Sequence, residues 1–204
     1  MYNIIKKWEW GNSESPDIYH DPETRKNSIS FRGNLHRLAN EFIDNGEFEK
    51  ANEIMDLSFE KMPIDFFEYY SLSEPYILSY YKIGEDKKAQ NLYKTIEAKY
   101  LDKIKYYSIS MREYEDMFEL SEFAENIFTY TERYRGLIEN QRKLGNYDFV
   151  KPSIKSFVDY TEIFKGIYGE YDYYMFLISF IEPLYLSSEN NLARKLYNLS
   201  LIHI

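Results

Sequence analysis

Side chains that could bind a metal ion are few and scattered in this sequence. The chain has three histidines, His20, His36 and His203, and no cysteine. A metal site in a protein needs several histidine, cysteine or carboxylate ligands at fixed spacing, and neither His20 nor His36 stands in such a pattern. We therefore expect both to be hydrogen-bonded or solvent-exposed side chains, and we expect neither a metal ion nor another cofactor.

Carboxylates that could act as general acids or bases occur close together, as in Glu113 with Glu115 and Asp116, or Glu119 with Glu122. On a helix such runs usually form the solvated face, whereas catalysis needs them in a pocket. The sequence also lacks a Gly-x-Ser-x-Gly elbow and a phosphate-binding glycine loop. We therefore expect no catalytic residue, and a helical enzyme remains only as an alternative.

Composition limits the classes of partner. The 34 acidic residues outnumber the 25 basic ones, which are scattered, so nucleic acids and anionic membranes are poor partners. The hydrophobic content of 44% favours a folded domain over a disordered chain. The longest apolar run, residues 173–186, contains Glu182 and Pro183 and is too short to span a bilayer. We therefore expect a soluble fragment that does not insert into a membrane.

The positions of apolar residues predict helices from Phe31 onward. Phe31, Leu35, Leu38, Ala39 and Phe42 lie on one face of a helix. Residues 1–30 are rich in turn formers, so we expect an irregular lead-in there, with its aromatic side chains packed on the first helices.

A helix pair with a tetratricopeptide-like register follows from the next residues. Gly46 ends the first helix, Ala51 allows the second to approach it closely, and Pro63 ends the second helix. Gly84 and Ala89 repeat this arrangement, each 38 residues after its counterpart. Two helix pairs are therefore predicted over residues 31–101.

Residues 102–198 are predicted to form further helices, including one long helix over 118–144. The predicted fold class is all-α. We expect tetratricopeptide-like antiparallel helix pairs that form a short right-handed solenoid or an irregular helical bundle.

The last six residues, 199–204, match the in-frame translation of a transposase adapter used in sequencing libraries. We therefore expect that they do not belong to the natural chain and that the natural C-terminus lies elsewhere. By this interpretation His203 is not a ligand.

Helix-pair arrays bind partners mainly through the first helix of each pair. By that template, six polar residues would line the partner-binding face, although each could instead be solvated or packed on its neighbour. They are His36, Asn40, Asp44, Glu74, Tyr81 and Lys82. The expected partner is a protein or peptide. A glycan stacked on Trp8, Trp10 or exposed tyrosines is the alternative.

One set of residues recurs in the order found in a known bacterial family. The set comprises Trp10-Gly11, Asp17, Tyr19, Asp21, Arg25, Phe31-Arg32, Arg37-Leu38-Ala39, Gly46, Ala51, Met62-Pro63 and residues 76–88. In this set the chain resembles the C-terminal region of the membrane proteins known as domain of unknown function 2723, which are similar to protein O-mannosyltransferases.

The resemblance covers most of residues 1–198 and is firmest before Tyr107. It implies a non-catalytic tail of an integral-membrane glycosyltransferase-like protein, whose membrane helices and catalytic residues lie upstream. It also implies a periplasmic position at the bacterial inner membrane, with the parent's own membrane domain as a partner. A stand-alone, cytoplasmic protein-binding or glycan-binding module is the alternative.

Overall fold

A computed structural model describes residues 2–113, 120–161, 178, 181, 185 and 190–203. Its helices are α1 (Tyr2–Ile5), α2 (Pro22–Asp44), α3 (Phe48–Lys61), α4 (Ile64–Phe67), α5 (Glu74–Lys82), α6 (Asp86–Glu113), α7 (Leu120–Lys143), α8 (Tyr147–Thr161) and α9 (Asn190–His203), with a 3-10 turn at Tyr70–Leu72. The fold is all-α, as the apolar spacing predicts. The apolar run over residues 173–186 lies, apart from residues 178, 181 and 185, outside the described residues.

The chain divides into two compact units, Met1–Ile96 and Glu97–Ile204. The first contains α1 to α5 and the start of α6, and it ends five residues before the predicted end of the second helix pair at residue 101. The second contains the rest of α6 together with α7, α8 and α9. None of the described helices has the length and apolar composition needed to cross a membrane.

Helix α2 begins nine residues earlier than the apolar stripe predicts, at Pro22 instead of Phe31. The side chain of Asp21 accepts hydrogen bonds from the backbone N–H groups of Glu23 at 2.9 Å and Thr24 at 3.1 Å. Proline suits the first position of a helix, and an aspartate before it satisfies otherwise unpaired N–H groups. Residues 22–30 of the expected lead-in are therefore helical because of this N-cap.

Helices α2, α5 and α7 each end in a turn of the same type. Gly46, Gly84 and Gly145 follow α2, α5 and α7, with φ angles of 74°, 80° and 78°. Each glycine N–H donates to the carbonyl three residues earlier, and the next N–H donates to the carbonyl five residues earlier. This is the Schellman motif, and its positive φ favours glycine. The roles predicted for Gly46 and Gly84 are therefore found in the structure.

The helix after each glycine buries the same four positions, which lie 5, 8, 9 and 12 residues beyond it. They are Ala51, Ile54, Met55 and Ser58 after Gly46; Ala89, Leu92, Tyr93 and Ile96 after Gly84; and Val150, Ser153, Ile154 and Phe157 after Gly145. This internal register thus occurs three times. The third copy is not apparent from alanine spacing, because Val150 stands where the first two copies have alanine.

Arg32 of α2 is completely buried and holds the segment that follows α3. Its guanidinium group donates hydrogen bonds to the backbone carbonyls of Met62 and, at 3.3 Å, Glu68. These residues end α3 and α4, and carbonyls at helix C-termini lack partners within the helix. Pro63 lies between the two bonded carbonyls and directly precedes α4. Burial lowers the pKa of Arg32 to about 10.

Candidate functional site

Helices α2 and α5, the first helices of the first two pairs, pack against each other through a polar cluster of His36, Asn40 and Ser79. His36 Nε2 lies 3.0 Å from Ser79 Oγ, which donates to Asn40 Oδ1 at 3.0 Å. The Asn40 amide nitrogen lies 3.3 Å from His36 Nε2. His36 also packs on the Tyr76 ring, with centroids 4.7 Å apart. His36 and Asn40 remain partly exposed, whereas Ser79 is buried.

The surroundings of His36 favour its neutral form. Burial lowers the pKa of its imidazole, a hydrogen bond to the backbone of Pro75 opposes this effect, and the positive charge of Lys82 adds to it. A neutral imidazole has one donor and one acceptor nitrogen, so it can donate to Ser79 Oγ, whose own proton is given to Asn40 Oδ1. The cluster can thus present the edges of an imidazole and an amide to a partner.

The other predicted partner-binding residues occupy different positions. Lys82 is exposed at the end of α5, close enough to His36 to affect its charge. Asp44 is exposed at the last residue of α2, and Glu74 is partly buried at the first residue of α5. Tyr81 interacts with Gln90 and Asp86 of α6, and burial raises the pKa of its phenol. The structure therefore brings His36, Asn40 and Lys82 together, and it directs Tyr81 to α6.

A second cluster joins the lead-in to α2. Trp8 lies against Trp10 and Phe31, with ring centroids 5.5 Å and 5.6 Å apart, and Trp10 lies 6.1 Å from Phe31. We call these three rings the aromatic platform. It borders a cavity of about 440 Å³ whose wall also contains Asn27 and Glu9. The two tryptophans therefore pack on the first long helix, as expected, and their contact there is Phe31, which apolar spacing alone does not identify.

A larger cavity of about 990 Å³ lies between the lead-in and α3 and carries several carboxylates. These carboxylates are largely paired: Glu53 with Lys6 at 2.8 Å, and Glu14 with Lys61 at 2.8 Å. Hydrogen bonds from Lys6 and Tyr2 lower the pKa of Glu53. Paired, ionised carboxylates cannot act as general acids near neutral pH, so this cavity is better explained as the seam that fixes the lead-in on α3.

The first histidine differs from its expected state. His20 is only 6% exposed and packs against Phe67, with centroids 4.5 Å apart. Neither of its ring nitrogens has a hydrogen-bond partner among the described residues. The expectation that it is hydrogen-bonded or exposed is therefore wrong, because two phenylalanines, Phe66 and Phe67, take the place of polar neighbours. The described residues contain no group of three or more side chains suited to hold a metal ion.

Comparisons of this chain with protein-family models, with curated proteins and with solved structures found no match.

Proposed function

We propose that this chain is a non-catalytic, tetratricopeptide-like interaction module that binds a protein or peptide segment along α2 and α5. The observation that carries the proposal is the helix-pair register that recurs after Gly46, Gly84 and Gly145. Stacked helix pairs bury their apolar faces against one another and leave the first helices free to contact a partner. A protein segment is the partner class that such a surface commonly accepts.

The chemistry of the α2–α5 face supports a polar or acidic segment as the partner. Lys82 forms no ion pair among the described residues and can therefore bind a carboxylate of the partner. The Asn40 amide and the His36 imidazole already hold each other in place through Ser79. Side chains held in this way lose little conformational freedom when they bind, which favours affinity.

Selection of peptides from a displayed random library against the full chain tests this proposal. We expect enriched peptides that contain acidic residues and that lose at least about ten-fold in affinity with Lys82→Glu, because reversing the charge replaces attraction with repulsion. Asn40→Ala should weaken them about three-fold or more. Lys87→Glu provides the matched control, since Lys87 is an exposed lysine of α6. Peptides equally sensitive to both charge reversals would count against an α2–α5 site.

For the larger protein, we propose that this module is the tail of an integral-membrane glycosyltransferase-like protein of the bacterial inner membrane, on the periplasmic side. The support is the order of residues that resembles domain of unknown function 2723, from Trp10 to Lys88. Sequencing the source DNA across both ends of the reading frame tests it. Upstream codons for several membrane-spanning helices are expected, and a ribosome-binding site directly before Met1 would contradict this part of the proposal.

A further inference from the structure

The aromatic platform of Trp8, Trp10 and Phe31 lies on a surface separate from the polar cluster of the proposed function. Phe31 is 41% exposed, and both tryptophans are partly exposed. Large aromatic side chains in a folded protein normally pack in its interior, so three that meet at one partly open cavity indicate a binding surface. The cavity volume of about 440 Å³ is in the range of small-ligand sites.

We propose that the aromatic platform, together with Asn27 and Glu9, forms a binding site for a neutral carbohydrate. The apolar C–H face of a pyranose ring can lie on the indole and phenyl rings, as other apolar groups do on aromatic faces. Its hydroxyl groups remain at the ring edge, where they need hydrogen-bond partners. An amide and a carboxylate supply both the donors and the acceptors that hydroxyl groups require.

The distances between the rings decide against a cage for an organic cation. Such a cage holds the cation between ring faces that stand apart from one another. Here the centroids are 5.5 to 6.1 Å apart and the ring planes are inclined by 56° to 75°. Rings at these distances touch one another, which leaves no room for a cation between them. Because their planes are inclined, a sugar ring can stack on the face of one ring while the neighbouring rings border it.

The polar groups of the cavity wall divide into occupied and available ones. The Ser13 hydroxyl already donates to the backbone carbonyl of Lys61 at 2.5 Å, and the Ser28 hydroxyl donates to that of Arg25 at 2.6 Å. The Thr24 hydroxyl donates to the carboxylate of Asp21 at 2.6 Å.

By contrast, the side chains of Asn27 and Glu9 are exposed and have no hydrogen bond or ion pair with other described residues. Among the described residues that line this cavity, Glu9 alone is charged, so an anionic ligand would be repelled. A neutral ligand with many hydroxyl groups fits these available partners.

Intrinsic fluorescence gives a direct test because the chain contains only two tryptophans, and both belong to the platform. The full chain is titrated with four neutral trisaccharides: maltotriose, cellotriose, mannotriose and N,N′,N″-triacetylchitotriose. We expect at least one of them to shift the emission in a saturable way at millimolar or lower concentration. The shift should persist in high salt, because no charged group of the ligand takes part.

Two substitutions leave both fluorescent reporters in place. Phe31→Ala removes one ring of the platform and Asn27→Ala removes the available amide, and each should weaken trisaccharide binding about three- to ten-fold or more. Asn91→Ala is the matched control, because Asn91 is an exposed asparagine of α6 that does not line the cavity. Circular dichroism establishes that each variant keeps its helices.

Three results would overturn the proposal: no response to any trisaccharide, a response equally retained in Phe31→Ala and Asn27→Ala, or binding only of a lysine-rich peptide that salt abolishes. The last result would make this a site for basic peptides. Failure here leaves the proposed function intact, because peptide binding at the α2–α5 face depends on Lys82 and Asn40 and not on the platform.

Discussion

The phenol hydroxyl of Tyr76 donates a hydrogen bond of 2.6 Å to the backbone carbonyl oxygen of Arg32. The same hydroxyl lies 3.1 Å from Ser58 Oγ. A single side chain of α5 therefore contacts both helices of the first pair, and all three residues are completely buried. Burial raises the pKa of Tyr76 to about 12, so the phenol stays neutral and keeps its proton for this bond. The contact couples the second helix pair to the first.

Replacing Tyr76 by phenylalanine should lower the free energy of unfolding by about 1 to 2 kcal/mol, because the buried Ser58 hydroxyl and Arg32 carbonyl lose a partner. Urea denaturation of both proteins measures the difference. Tyr19→Phe is the control and should leave stability unchanged, since Tyr19 is 80% exposed. Equal stability of Tyr76→Phe and the parent would show that this bond does not couple the two pairs.

Replacing Gly46, Gly84 or Gly145 by alanine should each lower the free energy of unfolding by about 1 kcal/mol, because alanine is strained at positive φ. The space around each glycine is open, so backbone conformation alone sets the cost. Thermal unfolding of the three variants tests this. If alanine leaves the free energy of unfolding unchanged at one of these sites, the turn at that site does not require glycine and is not a copy of the repeated turn.

Two other glycines provide matched controls of the opposite sign. Gly33 lies within α2 and Gly136 within α7, and an added Cβ at either would meet no atom within 4 Å. Alanine at these positions should raise the free energy of unfolding by about 0.5 to 1 kcal/mol, as it does in helix interiors generally. Destabilisation by both controls would contradict the helical assignments.

The polar cluster should make stability depend on pH between about 5 and 7. The pKa of His36 is lower in the folded chain than the ordinary value of 6.5. The unfolded chain therefore binds more protons as the pH falls through that value, so the free energy of unfolding decreases on acidification. His36→Gln should reduce this decrease, whereas Asn91→Ala should not. Working above pH 5 avoids the carboxylates whose pKa values are lowered, such as Glu139.

The two histidines should respond in opposite ways to replacement by leucine. His20→Leu should raise the free energy of unfolding by about 1 kcal/mol, because two buried ring nitrogens without partners are removed. His36→Leu should lower it by a similar amount, about 1 kcal/mol, because Ser79 loses its imidazole partner. Chemical denaturation of the pair at pH 7.5 measures both. Loss of stability in His20→Leu would mean that its imidazole is hydrogen-bonded in solution.

Apolar spacing and glycine positions are sufficient to predict an all-helical fold and the turns that end α2 and α5, because both signals are local. The start of α2 was missed, since Asp21 and Pro22 act through backbone capping and not through an apolar stripe. Alanine spacing does not reveal the third copy, because Val150 stands at the alanine position and is buried equally well. The third copy follows the same rule as the others: a glycine is followed, at 5, 8, 9 and 12 residues, by side chains that are small, apolar or aromatic.

The candidate sites were less predictable because they depend on contacts between distant parts of the chain. Helical spacing placed His36 and Asn40 on one face, but Ser79, which joins them, is separated from Asn40 by 39 residues. The burial of Arg32 also depends on residues that are distant in the sequence. An arginine is ordinarily expected at the surface, and only the helix-end carbonyls of Met62 and Glu68 explain its burial.

Hydrogen–deuterium exchange of the full chain, with and without a peptide enriched by display, shows where the peptide binds. We expect slower exchange in α2 and α5, around residues 36–44 and 74–82, and less slowing by the same peptide in the Lys82→Glu variant. Slowing confined to the lead-in or to α7 and α8, or none with any enriched peptide, would contradict the assignment of the α2–α5 face as the binding surface.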